Sequence, residues 1–79
     1  MELVEVLLPA RARVALPASA YVLIRQVVWV LSGILTLKRG SQTVELSKGD
    51  RYEFGPPEDT EFRNATAKEC RYLVALLRR

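Results

Sequence analysis

Turn residues recur along this chain at intervals of roughly eight to twelve positions, and that punctuation constrains its fold more than anything else. Pro9, Pro17, Ser32-Gly33, Arg39-Gly40-Ser41, Ser47-Lys48-Gly49-Asp50 and Gly55-Pro56-Pro57 divide it into short apolar segments. No segment is long enough for a strand-helix-strand unit. Gln26-Val-Val-Trp-Val-Leu31 is rich in β-branched and aromatic residues, which suit a pleated surface. Arg51-Tyr-Glu-Phe54 and Thr60-Glu-Phe-Arg63 alternate polar with apolar, the period of a half-buried strand. Strands are also read at Leu3–Leu8, Arg11–Leu16, Tyr21–Ile24, Ile34–Lys38 and Gln42–Leu46. The pattern predicts one all-β antiparallel domain over residues 1–79, a sandwich or barrel in which hairpins dominate.

Residues 68–79 fit two templates. Cys70, Leu73, Val74 and Leu77 have helical spacing, whereas Cys70, Tyr72, Val74 and Leu76 have strand spacing. Ala, Leu, Lys, Glu and Arg there favour a helix, and the segment taken alone stands even between the two.

With 79 residues, such a domain buries only about 60–65% of its unfolded surface. One cysteine and no histidine leave neither an internal disulfide nor a zinc staple to compensate. Self-association is the remaining route to stability. The missing histidine also removes Ser-His and Cys-His nucleophile systems. The net charge of +3 is too small and too dispersed to mark a nucleic-acid surface. Arg11, Arg13, Arg78 and Arg79 would form a basic patch only if the two termini met. Val14–Leu37 is mostly apolar, but Arg25, Gln26, Pro17 and Gly33 interrupt it, so it reads as consecutive strands rather than a membrane span. A cytoplasmic protein is expected, since one reduced thiol suits that compartment.

From Gln26 to Asn64 the order of residues resembles the cupin superfamily of small jelly-roll barrels. Val27-Val-Trp-Val-Leu-Ser-Gly33 looks like the end of the first cupin motif, with Gly33 as its terminal glycine. Leu46-Ser-Lys-Gly-Asp50 resembles the turn that opens the second, and Phe54–Asn64 is similar to its remainder. The resemblance implies a double-stranded β-helix, or jelly-roll barrel, and makes the tail a closing strand at Tyr72–Leu77. It also locates the usual metal ligands. The glutamate position is Gln26, the first-motif histidine positions are Ala20 and Val22, and the second-motif histidine position is Thr60. An amide, a hydroxyl and two alkyl groups do not replace an imidazole-carboxylate set, so no metal and no cofactor are expected.

Within the cupins, Gln-Val-Val-Trp-Val-Leu, Phe-Gly-Pro-Pro and Cys-Arg-Tyr-Leu-Val-Ala resemble the C-terminal domains of bacterial XRE-type helix-turn-helix regulators. The resemblance implies a non-enzymatic domain that senses a small molecule and dimerises. A helix-turn-helix absent from this sequence would read the DNA, with no direct nucleic-acid binding by this chain. The alternative is a stand-alone small cupin of unknown activity, enzymatic activity included.

Two sets of residues follow. Gln26 and Thr60 would anchor a ligand pocket lined by Ala20, Val22, Tyr52, Phe54 and Phe62; the competing reading is a filled barrel with those residues as core. Val28 and Val30 should point inward, leaving Val27, Trp29 and Leu31 on an apolar outer face. That face is either a homodimer interface or is covered by the N-terminal strand. Cys70 reads as a buried hydrophobe rather than a reactive thiol. Glu58, Asp59 and Glu61 read as solvated carboxylates beside a loop.

Overall fold

A computed structural model describes residues 1–78. Eight strands, β1 (Glu2–Leu8), β2 (Arg13–Leu16), β3 (Ile24–Ser32), β4 (Ile34–Arg39), β5 (Gln42–Ser47), β6 (Arg51–Glu53), β7 (Thr60–Arg63) and β8 (Cys70–Arg78), form two sheets. One sheet has the order β1-β8-β3-β6 and the other β2-β7-β4-β5. Every pairing is antiparallel. This is the expected jelly-roll, double-stranded β-helix architecture.

The hairpin-dominated expectation needs correction. Only β4 and β5 are both consecutive in sequence and paired with each other. The other pairs join distant segments; β1, for example, pairs along its whole length with β8, Leu8 opposite Cys70 and Glu2 opposite Leu76. The chain crosses from one sheet to the other at most turns, so neighbouring segments face each other across the core.

The tail is a nine-residue strand held between β1 and β3. Its two local spacings are equivalent, and the backbone groups of strands on both sides decide between them. The opposite happens at Tyr21–Ile24, read above as a strand. Ala18–Tyr21 forms a 3-10 turn after Pro17, and β3 begins only at Ile24. The small residues Ala18, Ser19 and Ala20 let the chain coil tightly there, and Asp59 accepts a hydrogen bond from the Ala18 amide at 2.8 Å.

The inner faces supply the core. Val28 and Val30 of β3 point inward as expected and are fully buried with Leu35, Leu37 and Cys70. Burial pushes the Cys70 thiol up from its ordinary pKa, against thiolate reactivity. Aromatic rings run through the interior: Tyr21–Phe54 at 5.5 Å, Tyr52–Phe54 at 5.6 Å, Phe54–Phe62 at 6.1 Å and Phe62–Tyr72 at 5.7 Å between centroids.

Two family-like positions have structural roles at the Cys70 end of the barrel. Gly33 has φ +80°, and a Cβ there would sit 2.8 Å from the Glu69 carbonyl oxygen. Asn64 is wholly buried. Its Nδ2 donates to the carbonyls of Leu8, Pro9 and Lys68, and its Oδ1 accepts from the Thr66 amide and hydroxyl. One side chain thereby ties the ends of β1 and β7 to the loop before β8.

Candidate functional site

The inner faces part between β1 and β2, the edge strands of the two sheets. A cleft of about 280 Å³ opens there. Val4 and Val6 of β1, Tyr72, Val74 and Leu76 of β8, and Gln26 of β3 line it from one sheet. Val14 and Leu16 of β2 and Phe62 of β7 line it from the other. Both edge strands carry apolar residues at alternate positions on their inward faces, and no third strand bridges the gap. Val4, Val14 and Leu16 therefore remain 42%, 45% and 39% exposed.

Gln26 is 5% exposed. It lies on β3, an inner strand of the β1-β8-β3-β6 sheet, opposite Leu76. Its side-chain amide makes no hydrogen bond among the described residues. Its amide is not among the fully enclosed unsatisfied polar groups, so water reaches it from the cleft. Tyr72, the other cleft residue with a polar atom, is stacked parallel to Phe62. Burial pushes its phenol up to about 12, so the hydroxyl is neutral through the physiological range.

A second polar group lies deeper, behind Phe54. Arg39 is 4% exposed. Its guanidinium lies 4.6 Å from the Phe54 ring centroid and donates to the Pro56 carbonyl at 2.6 Å. It has no carboxylate partner among the described residues, and its Nε is unsatisfied. The Tyr21 hydroxyl nearby is also buried without a well-formed hydrogen bond. Burial raises the Tyr21 pKa, while the Thr60 hydroxyl and Arg39 act in the opposite direction. Thr60 is paired across the strands with Arg39, and its hydroxyl donates to the Glu58 carbonyl at 3.0 Å.

The seven residues expected around a pocket therefore separate. Gln26 and Phe62 line the cleft. Tyr52 and Phe54 pack into the core, and Thr60 bonds the adjacent loop and borders a separate depression of about 390 Å³ with Leu16, Lys38 and Asp59. Ala20 and Val22 are exposed on and just after the 3-10 turn; that turn directs Tyr21 inward in their place. The apolar lining from β1 and β8 was missed, although Val4-x-Val6 and Tyr72-x-Val74-x-Leu76 carry the alternation that places them there. Arg39 also follows an inward alternation, Leu35-x-Leu37-x-Arg39, which its charge disguised.

The outer face of the β1-β8-β3-β6 sheet is apolar, and the N-terminal strand does not cover it. β1 instead extends that sheet at its edge. Trp29 is 46% exposed and Val27 is half-buried. Leu31 is the unpaired residue of a β-bulge between Val30 and Ser32, out of strict alternation with Val27 and Trp29. Leu3, Leu7 and Leu77 add exposed side chains from β1 and β8. Charges of both signs lie among them: Arg71 bonds Glu5 at 2.7 Å, Arg25 bonds Glu53 at 3.2 Å, and Arg51 lies over Trp29 at 5.6 Å.

The basic residues do not converge. Arg13 pairs with Arg63 and Arg11 donates to the Ala65 carbonyl, at the Asn64 end of the barrel. Arg78 lies opposite Ile24 at the far end of β8. Arg79 is outside the described residues. Of the acidic trio, Asp59 accepts from Ala18, and Glu61 stands 4.0 Å from Arg13.

No family model matches the sequence, and no curated protein matches it significantly. Solved structures do. The cupin domain of an XRE-family transcriptional regulator from Enterobacter cloacae superposes with a TM-score of 0.84 at 16% identity, covering 94% of this chain and 77% of that one. This chain has the cupin fold. A predicted oxalate decarboxylase from Thermotoga maritima gives a TM-score of 0.84 at 13% identity, over 98% of this chain and 65% of that one. A de novo designed double-stranded β-helix gives 0.74 at 14% identity, over 98% of this chain and all of the design. Against the two natural proteins the chain spans only part of their length, and these identities speak to the fold alone.

The residues present do not fit a cupin-type metal. Gln26 and Thr60 are the only polar side chains at the usual ligand positions, and Ala20 and Val22 lie outside the interior. Among the described residues no three His, Cys, Asp or Glu side chains cluster. No described helix is long and apolar enough to cross a membrane.

Proposed function

We propose that this chain is a non-enzymatic ligand-binding and dimerisation domain with a cupin fold, serving a transcriptional regulator. The observation that carries the reading is the inter-sheet cleft: an apolar opening into the barrel with one amide, that of the nine-tenths-buried Gln26, bonded by no described residue. Small-molecule sites have this composition, mostly apolar with a few placed polar groups. The likeness to a domain of an XRE-family regulator supports the regulatory setting, in which a separate helix-turn-helix would contact DNA. A ligand would act by binding one arrangement of a dimer better than another.

The dimer would form through the outer face around Trp29. A domain this small gains from burying a second apolar surface. That face carries Glu5 and Glu53 beside Arg25, Arg51 and Arg71, so a two-fold copy can present opposite charge to each. A small aromatic probe such as toluene, followed by amide chemical shifts, tests the cleft. Shifts should cluster at Val6, Gln26, Phe62 and Val74. Shifts scattered over the surface, or none, would count against a ligand site.

A further inference from the structure

We infer that the cleft takes an uncharged, largely apolar molecule whose one polar head is an amide or similar donor-acceptor group, held by the Gln26 side chain. This deepens the ligand-binding reading above and rests on it.

Gln26 is the starting point. It is more than nine-tenths buried, lines the cleft, and has no hydrogen-bond partner among the described residues. A side-chain amide offers a carbonyl acceptor and two N–H donors. A ligand amide presents the complementary pair and satisfies both at once. An alkyl group would leave both unmade, which is the costly case for a buried polar group.

The rest of the cleft sets the charge. The remaining lining residues are Val, Leu, Phe and Tyr, and none is ionisable near neutrality. The nearest interior cation, Arg39, is held behind the Phe54 ring and bonded to Pro56; it is not a lining residue. Gln26 also borders a second depression of about 180 Å³, lined by Met1 and by Arg25 and Glu53, which bond each other at 3.2 Å. A carboxylate or ammonium entering the cleft would lose its hydration and meet no counter-charge, which is strongly unfavourable. A volume of about 280 Å³ suits a small molecule rather than a peptide.

The test compares heptanamide, heptanoate and heptylammonium at neutral pH, with toluene as a headless probe, by amide and side-chain NMR titration. Heptanamide should shift the Gln26 side-chain NH₂ together with Val6 and Phe62, and bind at least about tenfold more tightly than either charged analogue. In Gln26→Leu, an apolar replacement at an apolar-lined position, heptanamide should lose about fivefold or more while toluene binding is retained. Gln26→Met serves the same comparison if the leucine variant folds poorly. Heptanoate or heptylammonium binding as tightly as heptanamide would overturn the uncharged-ligand inference and leave the cleft reading standing. Unchanged heptanamide affinity in both variants would overturn the role of Gln26. Toluene and heptanamide both leaving the cleft resonances unmoved would overturn the cleft reading, and the inference with it.

Discussion

Replacing Asn64 by alanine should remove a large fraction of the stability of this domain. Its side chain is wholly buried and makes contacts with three carbonyls and with both polar groups of Thr66. Truncation leaves the Leu8 carbonyl, buried beside the core, without this donor; the Pro9, Lys68 and Thr66 groups lie nearer solvent and can recruit water. Two to three unmet bonds at about 1–1.5 kcal/mol each give a loss of about 2–4.5 kcal/mol. A domain of this length has about 4–12 kcal/mol in total. Urea denaturation followed by circular dichroism reads the loss as a lower midpoint at an unchanged slope. Asn64→Asp sharpens the test. It keeps the shape but turns an oxygen toward three carbonyl oxygens, so it should be at least as damaging as alanine at neutral pH. Its protonated form can donate again, so the folded state favours the proton and stability should recover as pH falls. An aspartate variant as stable as the parent, or an alanine loss below about 1 kcal/mol, would refute the claim that this side chain acts through its hydrogen bonds.

Gly33→Ala should cost about 2–4 kcal/mol in the same assay, because a Cβ would press on the Glu69 carbonyl at 2.8 Å in a positive-φ conformation. Trp29→Glu should turn the proposed dimer into a monomer in light scattering, with the fold intact by circular dichroism; a parent protein that is already monomeric would refute the dimer, and an unchanged dimer would place its interface elsewhere. Spectroscopic titration of the phenols should show one tyrosine ionising only near pH 12, assigned to Tyr72. Burial favours the neutral phenol, so the folded state holds a proton that the unfolded chain loses near its ordinary value of about 10. Stability should therefore fall as pH rises from about 10 toward 12, with little contribution from this group below that window.

The strands were legible because their turn residues are explicit and their faces alternate. Val28 and Val30 against Trp29 could be assigned from period alone. The tail could not, since Cys70–Arg78 satisfies both periods and becomes a strand through β1 and β3, its neighbours in space. Tyr21–Ile24 looked extended because it is apolar, yet Val22 and Leu23 are 55% and 67% exposed, and only Tyr21 reaches the core. That displacement moved two expected pocket residues to the surface. The cleft was half legible: Gln26 stood out as an amide among valines, but the residues facing it come from β1, β2 and β8. Their convergence depends on an open edge between two sheets, which no local pattern records. Arg39 was invisible for a different reason, since a buried guanidinium runs against the rule that charged residues lie outside.

Diffraction from crystals pressurised with xenon tests the open cleft most directly, because xenon enters apolar space without needing a polar partner. Xenon should appear among Val6, Phe62 and Val74, with Gln26 at the rim of its site. Side chains of Val14 and Leu16 closed over a filled interior, with no xenon between the sheets, would contradict the ligand-binding account.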